Sequence, residues 1–470
     1  MNFIIFPNQL FEKQYIPTDI KINKIIIIEH PIFFGQRDIK MNFNKLKLVL
    51  HRSSMKYYSD YLKKNKYSVE YIDYKDCANF LKKVDKKKCY YFELNDHLLS
   101  KKVKFMKENM YKSPNFLLSY EQMEEYNKKN KTFVHQKFYN MMRNEFNVIP
   151  NSKTYDMENR KKLPNKINIP KLPTISKNKY VKEAQAYIDK LFPKNYGNTD
   201  NFIYPITHEE VKKWFNNFLK EKFKNFGTYE DAIDDRENFI FHSVMSPMIN
   251  IGLINPSTIL EMIEPYKNKV GMNNYEGFVR QILGWREYQR YCYHFAYDKM
   301  INSNVFEHKK KLSKKWYNGT LGIKPVDDAI KNGFEQGYLH HILRLMVISN
   351  FMNLCEIHPK ECYKWFMEFA VDSYDWVMIQ NVYSMGQWAD GGMTMRKPYV
   401  SSDNYILNMS NYKKDEWCII WNNLYYYFLS KNKEILRKTP YIRNLSYFEK
   451  KSSEEQKSII ESAKNFIKKS

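Results

Sequence analysis

Residues 337–350 read GYLHHILRLMVISN, and on a helix His341, Arg344, Leu345 and Ile348 fall on one face. An apolar stripe then carries an imidazole and a guanidinium. A buried arginine requires a carboxylate or another acceptor. Asp372, in VDSYDW at 371–376, is the candidate. His340 and His341 are of the residue type that can move protons near neutral pH, although adjacent histidines are more often structural. No third ligand stands at a telling spacing, so a metal site is not expected.

Three further segments carry chemistry. In FHSVMSPMINIGLI (241–254), Ser243 and Ser246 precede Pro247 and an apolar helical run. Hydroxyls and free N–H groups at a helix start suit a phosphate, while a plain capping turn is the commoner outcome. In GFVRQILGWREYQRY (277–291), Gln281, Trp285 and Tyr288 fall near one line beside Arg286. Such a tryptophan can stack on a base while its neighbours hold phosphate, and Arg286 and Glu287 could equally be ion-pair partners. The stretch Asp375 to Tyr405 is rich in amides, aromatics and the pair Gly391-Gly392. It is too irregular for one helix and suits the lining of a planar polar ligand.

The elements that must position these groups fall into two patterns. Short β-rich runs at 3–6, 25–28, 68–74 and 89–94 surround a helical stretch, Asn44 to Asn65. Their alternation predicts an α/β, doubly wound parallel sheet. No Gly-rich phosphate fingerprint follows the first strand. We expect an α/β Rossmann-like unit over 1–145, a Pro-punctuated connector over 146–185, a large all-α catalytic unit over 186–450 and a charged tail over 451–470.

The chain has 470 residues, 43% of them hydrophobic and 27% charged, the composition of a globular protein. No apolar run approaches the roughly 18 residues of a membrane span. The apolar start is ended by Pro7 and has no basic region before it, so a first strand is expected rather than a signal peptide. Six cysteines form no Cys-x-x-Cys pair and no disulfide framework, consistent with a soluble intracellular protein. The net charge of +24 favours a polyanionic partner, nucleic acid first. Lysine drift on solvated faces accounts for part of it.

Taken in order, these segments resemble the photolyase/cryptochrome family. The nearest likeness is to its deoxyribodipyrimidine photolyase-related branch, which includes prokaryotic (6-4) photolyases and iron–sulfur bacterial cryptochromes. The resemblance also rests on HPIFF at 30–34, KLKLVLHRSSMKYY at 45–58, ENRKKLP at 158–164 and FGTYEDAI at 226–233. It implies a photolyase-like fold, a U-shaped FAD in the helical unit and an α/β unit able to hold an antenna chromophore of unknown identity. By position, Ser243, Ser246 and Asn250 would lie by the flavin phosphates and ribityl chain, and Gln281 and Arg286 would help to hold the cofactor. Arg344 and Asp372 match the family's ion pair beside the isoalloxazine, and Asn381 the polar residue near its N5 edge. Trp285, His340, His341, Lys397, Tyr399 and Tyr405 would receive a flipped-out lesion. Trp365 matches the proximal electron-transfer tryptophan, with Trp316 and Tyr317 where a more distant member belongs, Tyr317 replacing a Trp.

The resemblance also implies light-driven repair of UV-damaged DNA by a monomer. The (6-4) photoproduct is favoured because its repair needs an acid, for which His341 or His340 is the candidate. Lysines of HKKKLSKKW (308–316) would contact phosphate without reading sequence. The alternatives are a cyclobutane dimer photolyase, a blue-light photosensor, or a nucleic-acid-binding protein that has lost its flavin. The branch's four-iron–four-sulfur cluster is expected to be absent. Pro325, Lys413 and Glu416 stand where ligands belong, and Cys292, Cys355, Cys362 and Cys418 lie elsewhere.

Overall fold

The computed structural model of the protein describes residues 1–150, 154–437 and 439–470, so the part of the connector at 151–153 lies outside the described residues. Five strands form one parallel sheet: β1 (Asn2–Ile5), β2 (Lys24–Ile28), β3 (Val69–Ile72), β4 (Cys89–Phe92) and β5 (Met110–Tyr111), in the order β3-β2-β1-β4-β5. Register is set centrally, where Phe3 faces Ile25 on one side and Tyr90 on the other. Ile25 to Ile28 are all buried, as a strand covered on both faces requires. The helix Lys45–Lys64 crosses between β2 and β3, capped by the Asn44 side chain, which accepts from the Leu46 N–H.

The order of the strands reverses between β1 and β4, where folds of this kind usually open a ligand crevice. Here it is filled. Gln9 donates to the Phe92 and Glu93 carbonyls, and Arg290 reaches in from the helical unit to Glu93 at 2.5 Å and Asn95 at 3.0 Å.

The rest of the chain is helical. The expected boundary at 185/186 falls inside the helix Lys179–Leu191, which lies on Lys45–Lys64 through Arg52 and Glu183. The segment expected as a charged tail is largely a helix, Ser453–Lys469, opened by a capping box at Ser452. Phe466 packs on Phe351 and Lys315 donates to the Lys469 carbonyl. Ile459, Ile460, Phe466 and Ile467 lay its apolar side on the core, which leaves the charged residues outside.

The two units are locked by buried polar contacts. Asn44 donates to the Phe334 carbonyl at 2.8 Å, Lys47 to the Ser373 carbonyl at 2.5 Å, and His51 Nε2 meets the Tyr374 hydroxyl at 2.7 Å. The first joins the cap of the helix after β2 to the helix Lys324–Gln336, and the other two join the helix after β2 itself to the residues that follow Asp372. Among the described residues no helix is long and apolar enough to cross a membrane.

Candidate functional site: a polar cavity between three π-helical turns

Three helices of the second unit contain π-helical turns: Arg280–Arg286, Leu343–Ser349 and Gln380–Gly386. A π turn inserts a residue into the α-helical count and is enriched at functional sites. All three turns face the same cavity of about 730 Å³. Two of them approach closely. A Cβ on Gly386 would lie 2.1 Å from Ser349 Oγ, so only glycine fits there.

The wall collects most of the residues singled out from the sequence. Ser243, Ser246, Asn250, Gln281, Trp285, Arg286, His341, Arg344, Asp372, Asn381, Lys397, Tyr399 and Tyr405 all line the cavity. His340 does not. Its ring is 1% exposed and lies flat on His242, 4.6 Å between centroids and 9° between planes. His340 lies in the irregular stretch 338–340 just before the helix that begins at His341, so the two side chains do not share a helical face. Ile348 and Tyr288, expected on the faces of His341 and of Gln281, are also turned from the wall, because the π turns shift the register. Tyr288 donates instead to the Thr394 carbonyl.

The polar wall is built around Asp372. Its carboxylate receives two bonds from Arg344, at 2.9 and 3.0 Å, and one from Ser246 Oγ at 2.6 Å. Its backbone carbonyl accepts from Asn250 at 2.8 Å. Burial opposes the Arg344 charge, but the Asp372 carboxylate outweighs it and holds the guanidinium above its ordinary pKa. Asn381 gives its Nδ2 to the Val377 carbonyl, which leaves its oxygen for the cavity. Val244 holds a left-handed φ of 54°, unusual for a β-branched residue, between Ser243 and Ser246. Strain of this kind persists where surrounding packing fixes it and costs about 1–3 kcal/mol.

Arg286 differs from Arg344. Its guanidinium bonds Asn250 Oδ1 at 2.5 Å and Asn115 Oδ1 at 3.0 Å, and among the described residues no carboxylate touches it. Its Nε has no partner. Burial, opposed by Glu287 and assisted by Arg290, lowers it to about 9. A buried cation in this state is stabilised by an incoming anion.

Several wall residues were missed by the sequence. His242 lines the cavity with an unpartnered Nε2. At the rim stand Asp156, Arg160, Glu230, Asp231 and Arg280. Burial and the neighbouring Asp231 and Asp156 charges raise Glu230 to about 8, and burial raises Asp231 to about 6. Trp285 stacks on His135 at 3.7 Å, a partner from the helix His135–Glu145. The rim carboxylates sit in the FGTYEDAI stretch, which carried only the resemblance. Their clustering with Asp156 depends on contacts far apart in sequence.

Trp365, Trp316 and Tyr317 stand behind the wall. Trp365 is fully buried, 5.2 Å from the wall residue Phe366, and donates its Nε1–H to the Trp316 carbonyl. Tyr317 donates to Glu368 at 2.9 Å. Cys292, Cys355, Cys362 and Cys418 are each buried, and burial raises their thiols. Among the described residues no group of three or more His, Cys, Asp or Glu side chains is placed to hold a metal ion.

The residues present fit a dinucleotide flavin. The cavity falls in the size range of cofactor sites, offers a charge lacking its counter-ion in Arg286, and holds a second guanidinium fixed by Asp372. The profile of the deoxyribodipyrimidine photo-lyase-related proteins matches residues 3–204, and that of the FAD binding domain of DNA photolyase matches residues 276–416, spanning all three π turns. The chain is 32% identical over 341 residues to a (6-4) photolyase of Agrobacterium fabrum, covering 68% of this chain and 67% of that one. An uncharacterized protein, R855, of Acanthamoeba polyphaga mimivirus is 62% identical over 88 residues, 18% of this chain and 72% of its own. A class III photolyase structure from Agrobacterium tumefaciens shares the fold, with a TM-score of 0.55 at 14% identity over 100% of this chain and 98% of that one. The chain belongs to the photolyase/cryptochrome family, in its deoxyribodipyrimidine photolyase-related branch.

Proposed function

We propose that the protein repairs ultraviolet pyrimidine lesions in DNA, using FAD held in this cavity, and that the (6-4) photoproduct is its first substrate. The observation that carries the reading is the division of one cavity into two chemistries. Arg286, Asn250, Arg344, Asp372 and Asn381 supply charged and amide groups, while Trp285, Tyr399, Tyr405 and the exposed Lys397 supply aromatic rings and a basic group. The likeness to a (6-4) photolyase supports the substrate class.

Reduced FAD, when bound, supplies the electron that light transfers to the lesion. The chain's residues do the rest. Arg286 and Asn250 bind the phosphates. Arg344, fixed by two bonds to Asp372, keeps a positive charge beside the ring and favours its anionic form. Trp285, Tyr399 and Tyr405 stack on or line the extruded nucleotide, whose damaged pairing lowers the cost of flipping. Lys397 meets phosphate.

His341 is placed to give a proton. Its side chain lines the cavity and is exposed, and the nearby Arg344 charge opposes its protonation until negative charge enters. Glu230, raised to about 8, is a protonated carboxyl at the same rim. That His340 is turned from the cavity favours one second reading: a cyclobutane dimer photolyase, which needs no proton donor.

Reduced protein incubated in light and in darkness with two oligonucleotides, one per lesion, tests both. Restoration of the (6-4) strand only in light supports the first reading, and loss of that activity by about 100-fold in His341→Ala assigns the acid. Restoration of the cyclobutane strand alone supports the second. Repair of neither, with flavin bound, points to a photosensor and overturns both.

A further inference from the structure

Trp285 lines the cavity, and one face of its indole is already occupied. The His135 imidazole lies on that face, 3.7 Å between centroids and 14° between planes. Tyr288 meets the same indole edge-on, at 6.3 Å and 78°. Among the described residues no third ring packs on it, so its second face belongs to the cavity.

The two rings come from distant parts of the chain. His135 opens the helix His135–Glu145, and Trp285 sits in the π turn Arg280–Arg286. That helix is anchored without His135. Phe138 and Tyr139 are fully buried, Phe138 packs on Tyr288 at 5.6 Å and on Tyr291 at 5.3 Å, and the Tyr139 hydroxyl donates to Glu276 Oε1 at 3.2 Å. Gly284 leaves room for the imidazole, because a Cβ there would come within 3.1 Å of both His135 Nε2 and Tyr139 Cδ2. The same Nε2 has no hydrogen-bond partner. The ring is therefore held by its plane and not through Nε2. Nothing in the repair chemistry above uses His135.

We propose that His135 is a positioning residue for the DNA substrate: it backs the Trp285 indole, so that the cavity face of the indole takes one extruded pyrimidine of the lesion as the third layer of a stack. The part played by Trp285 rests on the repair reading above, and His135 goes beyond it. An indole free to turn on a cavity wall loses rotamer freedom when a base lands on it. One clamped between His135 and Tyr288 has lost that freedom on folding, so more of the stacking free energy appears as affinity. The clamp acts only on a nucleotide that has left the duplex. An undamaged duplex keeps its bases inside and is held through its phosphates, so His135 has no part in binding it.

Two measurements on the full chain test this. The first needs neither flavin nor DNA. Tryptophan is replaced by its 5-fluoro analogue, and the Trp285 line in the fluorine NMR spectrum is assigned by its loss in Trp285→Phe. His135→Ala is expected to shift and broaden that line, and His135→Phe to keep it narrow. In the second, FAD-loaded protein is titrated in darkness with duplexes that carry a (6-4) photoproduct, a cyclobutane dimer or no lesion. His135→Ala is expected to lose about 10-fold on the preferred lesion duplex, the scale of one weakened base stack, and nothing on the undamaged one. His135→Phe, which keeps a flat ring, is expected to retain the wild-type preference. A shifted Trp285 line in His135→Ala with the lesion preference intact overturns the proposal and leaves the repair reading standing. Equal losses on all three duplexes assign His135 to packing and overturn it as well. A wild-type protein that prefers neither lesion overturns the repair reading and this proposal with it, while the fluorine line still reports the clamp.

Discussion

Arg286 and Arg290 are one helical turn apart and face the two units of the molecule in opposite states. Arg290 enters the crevice of the sheet, where Glu93, Asn95 and the Leu118 carbonyl receive it at 2.5, 3.0 and 2.7 Å. Arg286 faces the cavity with two asparagines, an unpartnered Nε and, among the described residues, no carboxylate. Both are buried. One arginine closes a site of the kind that usually binds ligands, and the other keeps one open. A buried charge with its counter-ion is architecture; a buried charge without one is a place for a ligand.

The largest expected effect breaks the closed side. Arg290→Met leaves Glu93 buried without its cation and is expected to lower stability by about 3–5 kcal/mol, read from urea unfolding. Arg286→Met removes a cation that no carboxylate contacts, so stability should fall by only about 1 kcal/mol for the lost hydrogen bonds. The same change should weaken FAD binding by about 10- to 100-fold, read by fluorescence titration, because a charged hydrogen bond contributes about 1.5–3 kcal/mol. Equal stability losses in the two variants would erase the contrast.

Acid sharpens it further. Burial lowers His340 well below 6.5, and lowers His242 to about 3. The unfolded chain then binds more protons below pH 6.5, so stability is full above that value and is lost as pH falls toward the folded values. His340→Gln should flatten the loss by about 1.4 kcal/mol per pH unit between about pH 6 and 4.5, measured by urea midpoints across that range. The smallest effect is at the rim. Lys397→Ala should weaken binding to all DNA sequences alike and reduce the slope of log affinity against log salt by about 1.

The sheet was legible because Ile25 to Ile28 can only be a strand buried on both faces, and Asn44 marks the helix that follows. The fifth strand was not, since Met110–Tyr111 is two residues long and carries no period. The cavity residues were legible by type and by resemblance, from Ser246 to Tyr405. Their geometry was not, for one physical reason: a period of 3.6 residues fails across each of three π turns. That failure misplaced Tyr288 and Ile348. His242, Asn115 and Glu230 were invisible for another reason. Each matters through neighbours distant in sequence, as when Asn115 meets Arg286.

Asn115 belongs to the segment after β5, yet it donates to the Asn250 carbonyl and receives the Arg286 guanidinium. Flavin loading and the docking of the two halves therefore share a hinge pin. At a hundredfold excess over its dissociation constant, the cofactor adds about 2.7 kcal/mol to the folded state. Loss of the cofactor would therefore weaken the seam through Asn115 as well as empty the cavity.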